Sequence, residues 1–305
     1  MDFYHRLLEA AGSDHVLRDE PMAVHTTFRI GGPADYFVEP ADASALAKGI
    51  ALCREVDVDY FVTGNGSNLL VGDGGYRGVI FHICHTMDHI QYEEQEGELL
   101  VEAGAGVMLS GLARQVSSRG YTGFEYATGI PGTLGGGVTM NAGAYGGEIS
   151  DNILWAELMD ETGAILKLEK ERLKLSYRHS VMMEHPLVVL RAGFSFKKGD
   201  AAAISERVTE LSRLRREKQP LEYPSAGSTF KRPEGYFAGK LIMDTGLRGY
   251  SIGGACVSEK HCGFIINKNH ASAADVAEVI CEVQERVKEK FGVTLETEVI
   301  LLGDF

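Results

Sequence analysis

Paired cysteine motifs are missing from this chain. Its five cysteines, Cys53, Cys84, Cys256, Cys262 and Cys281, are odd in number and include no C-x-x-C pair. That argues against both a disulfide framework and a zinc site, and leaves reduced, buried thiols as the expectation. Positive charge is also short: 30 Lys and Arg face 43 Asp and Glu, a formal balance of −13. Such a chain has little long-range attraction for nucleic acid or an anionic membrane, although a local basic pocket could still hold a phosphate. No long apolar run is present either. The stretch Met1 to Gly12 mixes Asp2, His5, Arg6 and Glu9 with its apolar residues, giving no signal-peptide core and no membrane span, so a cytoplasmic protein is expected.

With 305 residues, 44% of them hydrophobic, the chain can bury a sizeable core and divide into two or three domains. Glycine is the compositional anomaly. There are 37 glycines, well above the usual share of about 7%. They lie in loops between periodic segments, which points to backbone contacts with a ligand.

Three blocks follow from the pattern. In the first, Pro21 to Pro40 reads as extended, Asp42 is placed to cap a helix running to about Glu55, and Tyr60 to Thr63 returns as a strand. After Gly64-Asn65-Gly66-Ser67-Asn68 come the apolar run Leu69 to Val71, the turn Gly72-Asp73-Gly74-Gly75 and a strand from Gly78 to Ile83. The second block, about His85 to Gly199, carries strand signals at Glu98 to Glu102, Ile153 to Met159, Ile165 to Leu168 and Leu187 to Phe196. It also holds a helix from Met108 to Arg119 and a glycine-rich stretch from Gly123 to Gly147. The third opens with a helix from Asp200 to Lys218 that Pro220 ends. A later helix is entered through Ser272-Ala273-Ala274-Asp275, with Val276, Val279, Ile280, Val283 and Val287 forming one apolar stripe. Thr294 to Leu302 reads as β-rich and as returning to the first block.

Gly64 to Asn68 invites a dinucleotide-binding reading, but a Rossmann fingerprint needs a helix after the glycines, and none follows here. The loop can instead present successive backbone N–H groups as an anion-binding nest, or be an ordinary cluster of turns. Nine of the 25 positions from Gly123 to Gly147 are glycine. Either a ligand or a crossing strand approaches that backbone closely. Two such loops in separate blocks would suit an elongated ligand.

Seven segments together resemble a known family along nearly the whole chain. They are His25 to Ala34 (HTTFRIGGPA), Gly64 to Leu70, Gly129 to Gly136 (GIPGTLGG), Asn141 to Gly146 (NAGAYG), Tyr177-Arg178, Ala226 to Lys231 (AGSTFK) and Leu295 to Val299 (LETEV). In this order they resemble UDP-N-acetylenolpyruvoylglucosamine reductase.

The resemblance implies an α+β fold: a two-part FAD-binding module of the vanillyl-alcohol-oxidase type plus a C-terminal α+β substrate-binding domain. Residues 1–84 would be the first FAD-binding subdomain, with 295–305 returning to it, residues 85–199 the second, and residues 200–305 the substrate domain. NADPH would be the co-substrate and UDP-N-acetylglucosamine enolpyruvate the substrate of a monomeric enzyme with no metal. The implied cofactor contacts are Arg29, Ile30, Gly31, Gly32, Gly64, Asn65, Gly66, Ser67, Asn68, Leu69, Leu70, Gly129, Pro131, Gly132, Thr133, Gly135 and Gly136. Ser228 would donate a proton, Arg178 would stabilise an enol or carboxylate oxygen, and Glu298, with Glu296 as the fallback, would be the catalytic carboxylate. Two residues apart on an expected strand, the two glutamates would share one face.

This chain has Arg232-Pro233 where many longer members show Asn-Pro. The 50 positions from Arg178 to Ser228 also leave no room for their extra substrate loop. It resembles the short form of the family, with Lys231, Arg232 and Lys240 as candidates for the diphosphate. Thr63 to Gly72 holds no His or Cys to carry a covalent flavin link, so non-covalent FAD is expected. The rival readings are an FAD-linked oxidase on the same scaffold and a non-catalytic flavin- or nucleotide-binding protein.

Overall fold

In the computed structural model, which describes residues 2–12 and 15–305, seven α-helices and seventeen strands are found among the described residues. In chain order they are α1 (Phe3–Ala11), β1 (Val16–Pro21), β2 (Pro33–Val38), α2 (Ala43–Glu55), β3 (Tyr60–Thr63), β4 (Leu69–Val71), β5 (Tyr76–His82), β6 (Ile90–Gln95), β7 (Glu98–Gly104), α3 (Leu109–Ser118), β8 (Tyr121–Thr122) and α4 (Leu134–Thr139). There follow β9 (Gly143–Ala144), β10 (Gly147–Glu148), β11 (Ile153–Met159), β12 (Ile165–Glu169), β13 (Val188–Lys198), α5 (Ala201–Lys218), α6 (Ala238–Asp244), β14 (Ser251–Ile252), β15 (Ala255–Val257), β16 (Ile265–Asn267), α7 (Ala273–Phe291) and β17 (Ile300–Leu302). The chain divides into two compact units. One comprises 1–17, 36–65 and 79–215; the other comprises 18–35, 66–78 and 216–305.

In the first unit, Asp42 accepts a hydrogen bond from the Ala45 N–H at 2.8 Å and so caps α2. Leu46, Ile50 and Cys53, at i, i+4 and i+7, bury that helix on one face. β3 pairs in parallel with β5. A second, antiparallel sheet runs β12-β11-β13-β7-β6. Alternation along β13 buries Ala192, Phe194 and Phe196. Arg191, on the other face, pairs with Glu102 of β7 and Glu157 of β11.

The second unit is built around α7. Val276, Val279, Ile280, Val283 and Val287 are all buried, as the stripe anticipates. They pack with Leu241, Ile242, Phe230 and Leu70 in one core. Ser272 and Asp275 form the capping box read from the sequence. The Asp275 carboxylate also accepts from the Gly254 N–H at 2.9 Å. Asp73, in the Gly72 to Gly75 turn, accepts from the N–H groups of Ala273 and Ala274, placing a negative charge on the positive end of α7.

The Gly254 and Ser272 N–H groups hold the Asp275 carboxyl below its ordinary 3.8. Because the folded value is depressed, the stabilisation is complete above pH about 4 and is lost as pH falls through the lowered value. Asp275→Ala is expected to cost about 1–2 kcal/mol in urea denaturation at neutral pH. The gap from wild type should close in acid.

Three expectations are corrected. Pro21 to Pro40 is not continuously extended: a 3₁₀ turn occupies Met22–Val24, and Arg29 adopts φ 54°. A helix, α4, runs through the triple glycine of the second glycine-rich stretch. Thr294 to Leu302 is a strand only at Ile300–Leu302. Glu296 and Glu298 flank an isolated bridge between Thr297 and Phe230. Outside a regular ladder, the alternation that would put both on one face is not imposed.

Candidate active site

In the first unit the two glycine loops are cross-tied. A side chain on Gly64 would begin 2.0 Å from the Thr133 Oγ1, so glycine alone allows this approach. Next to it the Asn65 Nδ2 donates to the Pro131 carbonyl at 2.6 Å. Leu134 and Gly135 are tied by their N–H groups to the carbonyls of Val107 and Ala105, at 2.7 and 2.9 Å. Pro131 and Gly136 are exposed, whereas Thr133 is buried.

Arg178 occupies the third position of a tight turn closed by reciprocal backbone hydrogen bonds between Ser176 and His179, each 3.1 Å. Its φ is 53°. That left-handed conformation at the third position belongs to a type II turn, where glycine is the usual residue. Retention of an arginine there is the kind of local strain that collects at functional sites. The turn is pinned by buried Asn141, whose Nδ2 donates to the Ser176 carbonyl at 3.0 Å and whose Oδ1 accepts from the Ser150 N–H at 2.9 Å. Arg178 Nη2 reaches the Gly143 carbonyl at 3.2 Å.

In the second unit the remaining residues form a clasp. Gly66 takes φ 56°, and a side chain there would begin 2.1 Å from the His25 carbonyl. Asn68 donates through Nδ2 to the Glu298 carbonyl at 2.9 Å, and its own carbonyl accepts from the Ile300 N–H at 2.9 Å. The Thr229 carbonyl accepts from the Glu298 N–H at 2.8 Å, while the Thr229 N–H and Oγ1 engage Gly263 and Ile265. Ser228, half-buried beside Thr229, makes no hydrogen bond through its hydroxyl to another described residue. One segment thus joins the glycine loop, Glu298 and Ser228.

The two glutamates separate by environment. Glu296 has a side chain 74% exposed and pairs with Lys231 at 3.3 Å, whereas Glu298 is half-buried. Lys240 pairs with Asp244 along α6 at 2.6 Å, and the Arg232 guanidinium stacks over the Phe237 ring at 4.9 Å. Ile30, Leu69 and Leu70 are buried in the core, so only their backbones are available to a ligand. Arg29 is exposed, and Gly32 packs against the Gly72 to Gly75 turn. No cluster of three or more His, Cys, Asp or Glu fit to hold a metal occurs among the described residues. Among them, too, no helix is long and apolar enough to cross a membrane.

Sequence reasoning missed Asn141 and Asp73 as supports of these loops. Asn141 lies in the NAGAYG segment, and Asp73 lies in a glycine turn. Their partners lie 35 and 200 positions away, beyond the reach of any local pattern.

These residues fit FAD: the Gly64 backbone, free of a side chain, is locked against the Gly129 to Gly136 loop through Thr133 and Pro131. Residues 34–169 match the family described as FAD binding domain. The fold is also shared with a glucose dehydrogenase, Phl p 4.0202, at TM-score 0.51 and 11% identity over 66% of this chain and 45% of that one. The protein is an FAD-containing oxidoreductase.

Residues 219–302 match the family described as UDP-N-acetylenolpyruvoylglucosamine reductase, C-terminal domain. The chain is 50% identical to the reductase of that name from Lachnoclostridium phytofermentans, over 98% of this chain and 96% of the relative. It is 51% identical to that from Agathobacter rectalis, over 95% of each. The crystal structure of the Thermus caldophilus enzyme superposes with TM-score 0.77 at 33% identity, covering 94% of this chain and 98% of that one. The chain belongs to the UDP-N-acetylenolpyruvoylglucosamine reductase family, flavoenzymes of peptidoglycan precursor synthesis.

Proposed function

We propose that this enzyme uses NADPH to reduce the enolpyruvyl group of UDP-N-acetylglucosamine enolpyruvate, giving UDP-N-acetylmuramate, and acts as a cytoplasmic monomer. The observation that carries the reading is the clasp in which one C-terminal segment bonds to both Asn68 of the glycine loop and Thr229 beside Ser228. A binding protein has no need to register a half-buried hydroxyl and a carboxylate against a cofactor loop.

FAD, when bound, supplies the hydride. Backbone and side-chain donors of 29–32, 64–70 and 129–136, comprising the contacts named above, hold it. Ser228 hands its proton to the carbon next to the one receiving hydride. Arg178 presents its planar, permanently charged fork to the carboxylate and draws off negative charge as it builds. Glu298, rather than the exposed Glu296, assists at the same centre. Lys231, Arg232 and Lys240 take the diphosphate. The division into 1–84 with 295–305, 85–199 and 200–305 assigns the first two parts to FAD and the third to the sugar nucleotide.

The test is NADPH consumption by the purified yellow protein at low oxygen, with and without the enolpyruvyl sugar nucleotide. Consumption that depends on the sugar is expected. Bound flavin without that dependence would leave the oxidase or binding-protein reading in its place.

A further inference from the structure

The helix α5 departs from its own pattern near its end. Ile204 and Leu211 are its buried side chains, seven positions apart. The same face continues at i+4 to position 215, where an apolar residue would extend the stripe. Arg215 stands there instead.

It is half-buried and makes no ion pair with any described residue. Other arginines of this unit are matched: Arg207 pairs with Glu210 at 2.6 Å, and Arg191 lies between Glu102 and Glu157. Burial pushes the Arg215 pKa down, and the Tyr145 phenol is the one titratable group acting the other way. A half-buried cation without a counter-charge is costly, whereas a leucine here would carry no such cost. Such a setting favours a negatively charged neighbour.

The surroundings say what it is. A side chain on Gly129 would begin 2.8 Å from both Cδ and Nη1 of Arg215, so the guanidinium lies against the backbone of Gly129. Gly129 opens the cofactor loop at the end away from Thr133, which packs on Gly64. Tyr145 sits in the turn of the β9–β10 hairpin, whose Gly143 carbonyl accepts from Arg178. Arg215 thus adjoins the Gly129 backbone and interacts with Tyr145 of the hairpin that Arg178 bonds, away from the Gly64–Thr133 contact.

We propose that Arg215 is a further residue of the flavin site, supplying the fixed positive charge that balances the negative charge the ring system gains on two-electron reduction. This rests on the FAD-dependent reading and on the placement of Arg178. A cation held in a partly dry setting favours the reduced, more negative form of the cofactor over the oxidised one. Bound FAD then accepts electrons from NADPH more readily.

The test compares FAD-loaded wild type, Arg215→Leu and Arg215→Lys. Three quantities are measured for each: dissociation constant for oxidised FAD, midpoint potential of the bound flavin, and KM for the sugar nucleotide. Leucine extends the α5 stripe, so Arg215→Leu is expected to fold and to bind oxidised FAD within about twofold of wild type. Its preference for reduced over oxidised FAD should fall by roughly tenfold, a potential lower by about 30 mV for a two-electron couple. Arg215→Lys should retain most of the preference, and if the leucine variant does not fold, Arg215→Gln provides the same comparison. An unchanged potential with a raised KM would overturn the proposal by assigning Arg215 to the substrate. Equal loss of affinity for both redox states would overturn it in favour of the cofactor diphosphate. Failure of the wild type to bind FAD would sink the flavoenzyme reading itself, a result distinct from either.

Discussion

Ser228→Ala is expected to lower the rate of sugar reduction by about 10²- to 10⁴-fold, the usual worth of a positioned proton donor. Reduction of the bound flavin by NADPH should proceed at its wild-type rate. The split follows from where the residue sits. Ser228 lies outside the glycine loops, and its hydroxyl makes no hydrogen bond to a described residue, so its removal leaves the Thr229 clasp intact. Single-turnover kinetics of the two half-reactions check this. Slowing of both by the same factor, or a loss below tenfold in the second, would remove Ser228 from the chemistry.

Arg178→Gly should lose about 10²- to 10³-fold in kcat, comparable to removing one donor from an oxyanion site. It should do so without loss of stability. The native arginine is held at φ 53°, where a side chain strains the backbone and glycine does not. A catalytically poor variant that melts at or above the wild-type temperature would identify an arginine retained for function at the expense of local backbone comfort. Steady-state kinetics and thermal denaturation on the same preparation give both readings. A destabilised Arg178→Gly with near-normal turnover would mean that the residue serves the fold.

Much of the fold was legible because it is written locally. The cap at Asp42, the capping box at Ser272, the valine stripe of α7 and the absence of a helix after Asn68 each depend on neighbours within a few positions. The short helix α4 was not legible, since Gly135, Gly136 and Gly137 have poor helix propensity. It forms because the Val107 and Ala105 carbonyls accept from Leu134 and Gly135. The glutamate pair misled for a related reason. Spacing implied a strand, but Glu298 follows the bonds of Thr229 and Asn68, not those of a ladder.

The sequence by itself determined the glycine loops, the family and the cofactor class, because close backbone approach and specific side-chain chemistry leave their mark residue by residue. Only the tertiary structure decided which glutamate is exposed and paired with Lys231, which arginine is strained in a turn, and which half-buried arginine makes no ion pair with a described residue. Those properties depend on contacts between distant positions, 230 apart for Asn68 and Glu298 and 65 for Lys231 and Glu296. Burial and charge balance arise only when such contacts close.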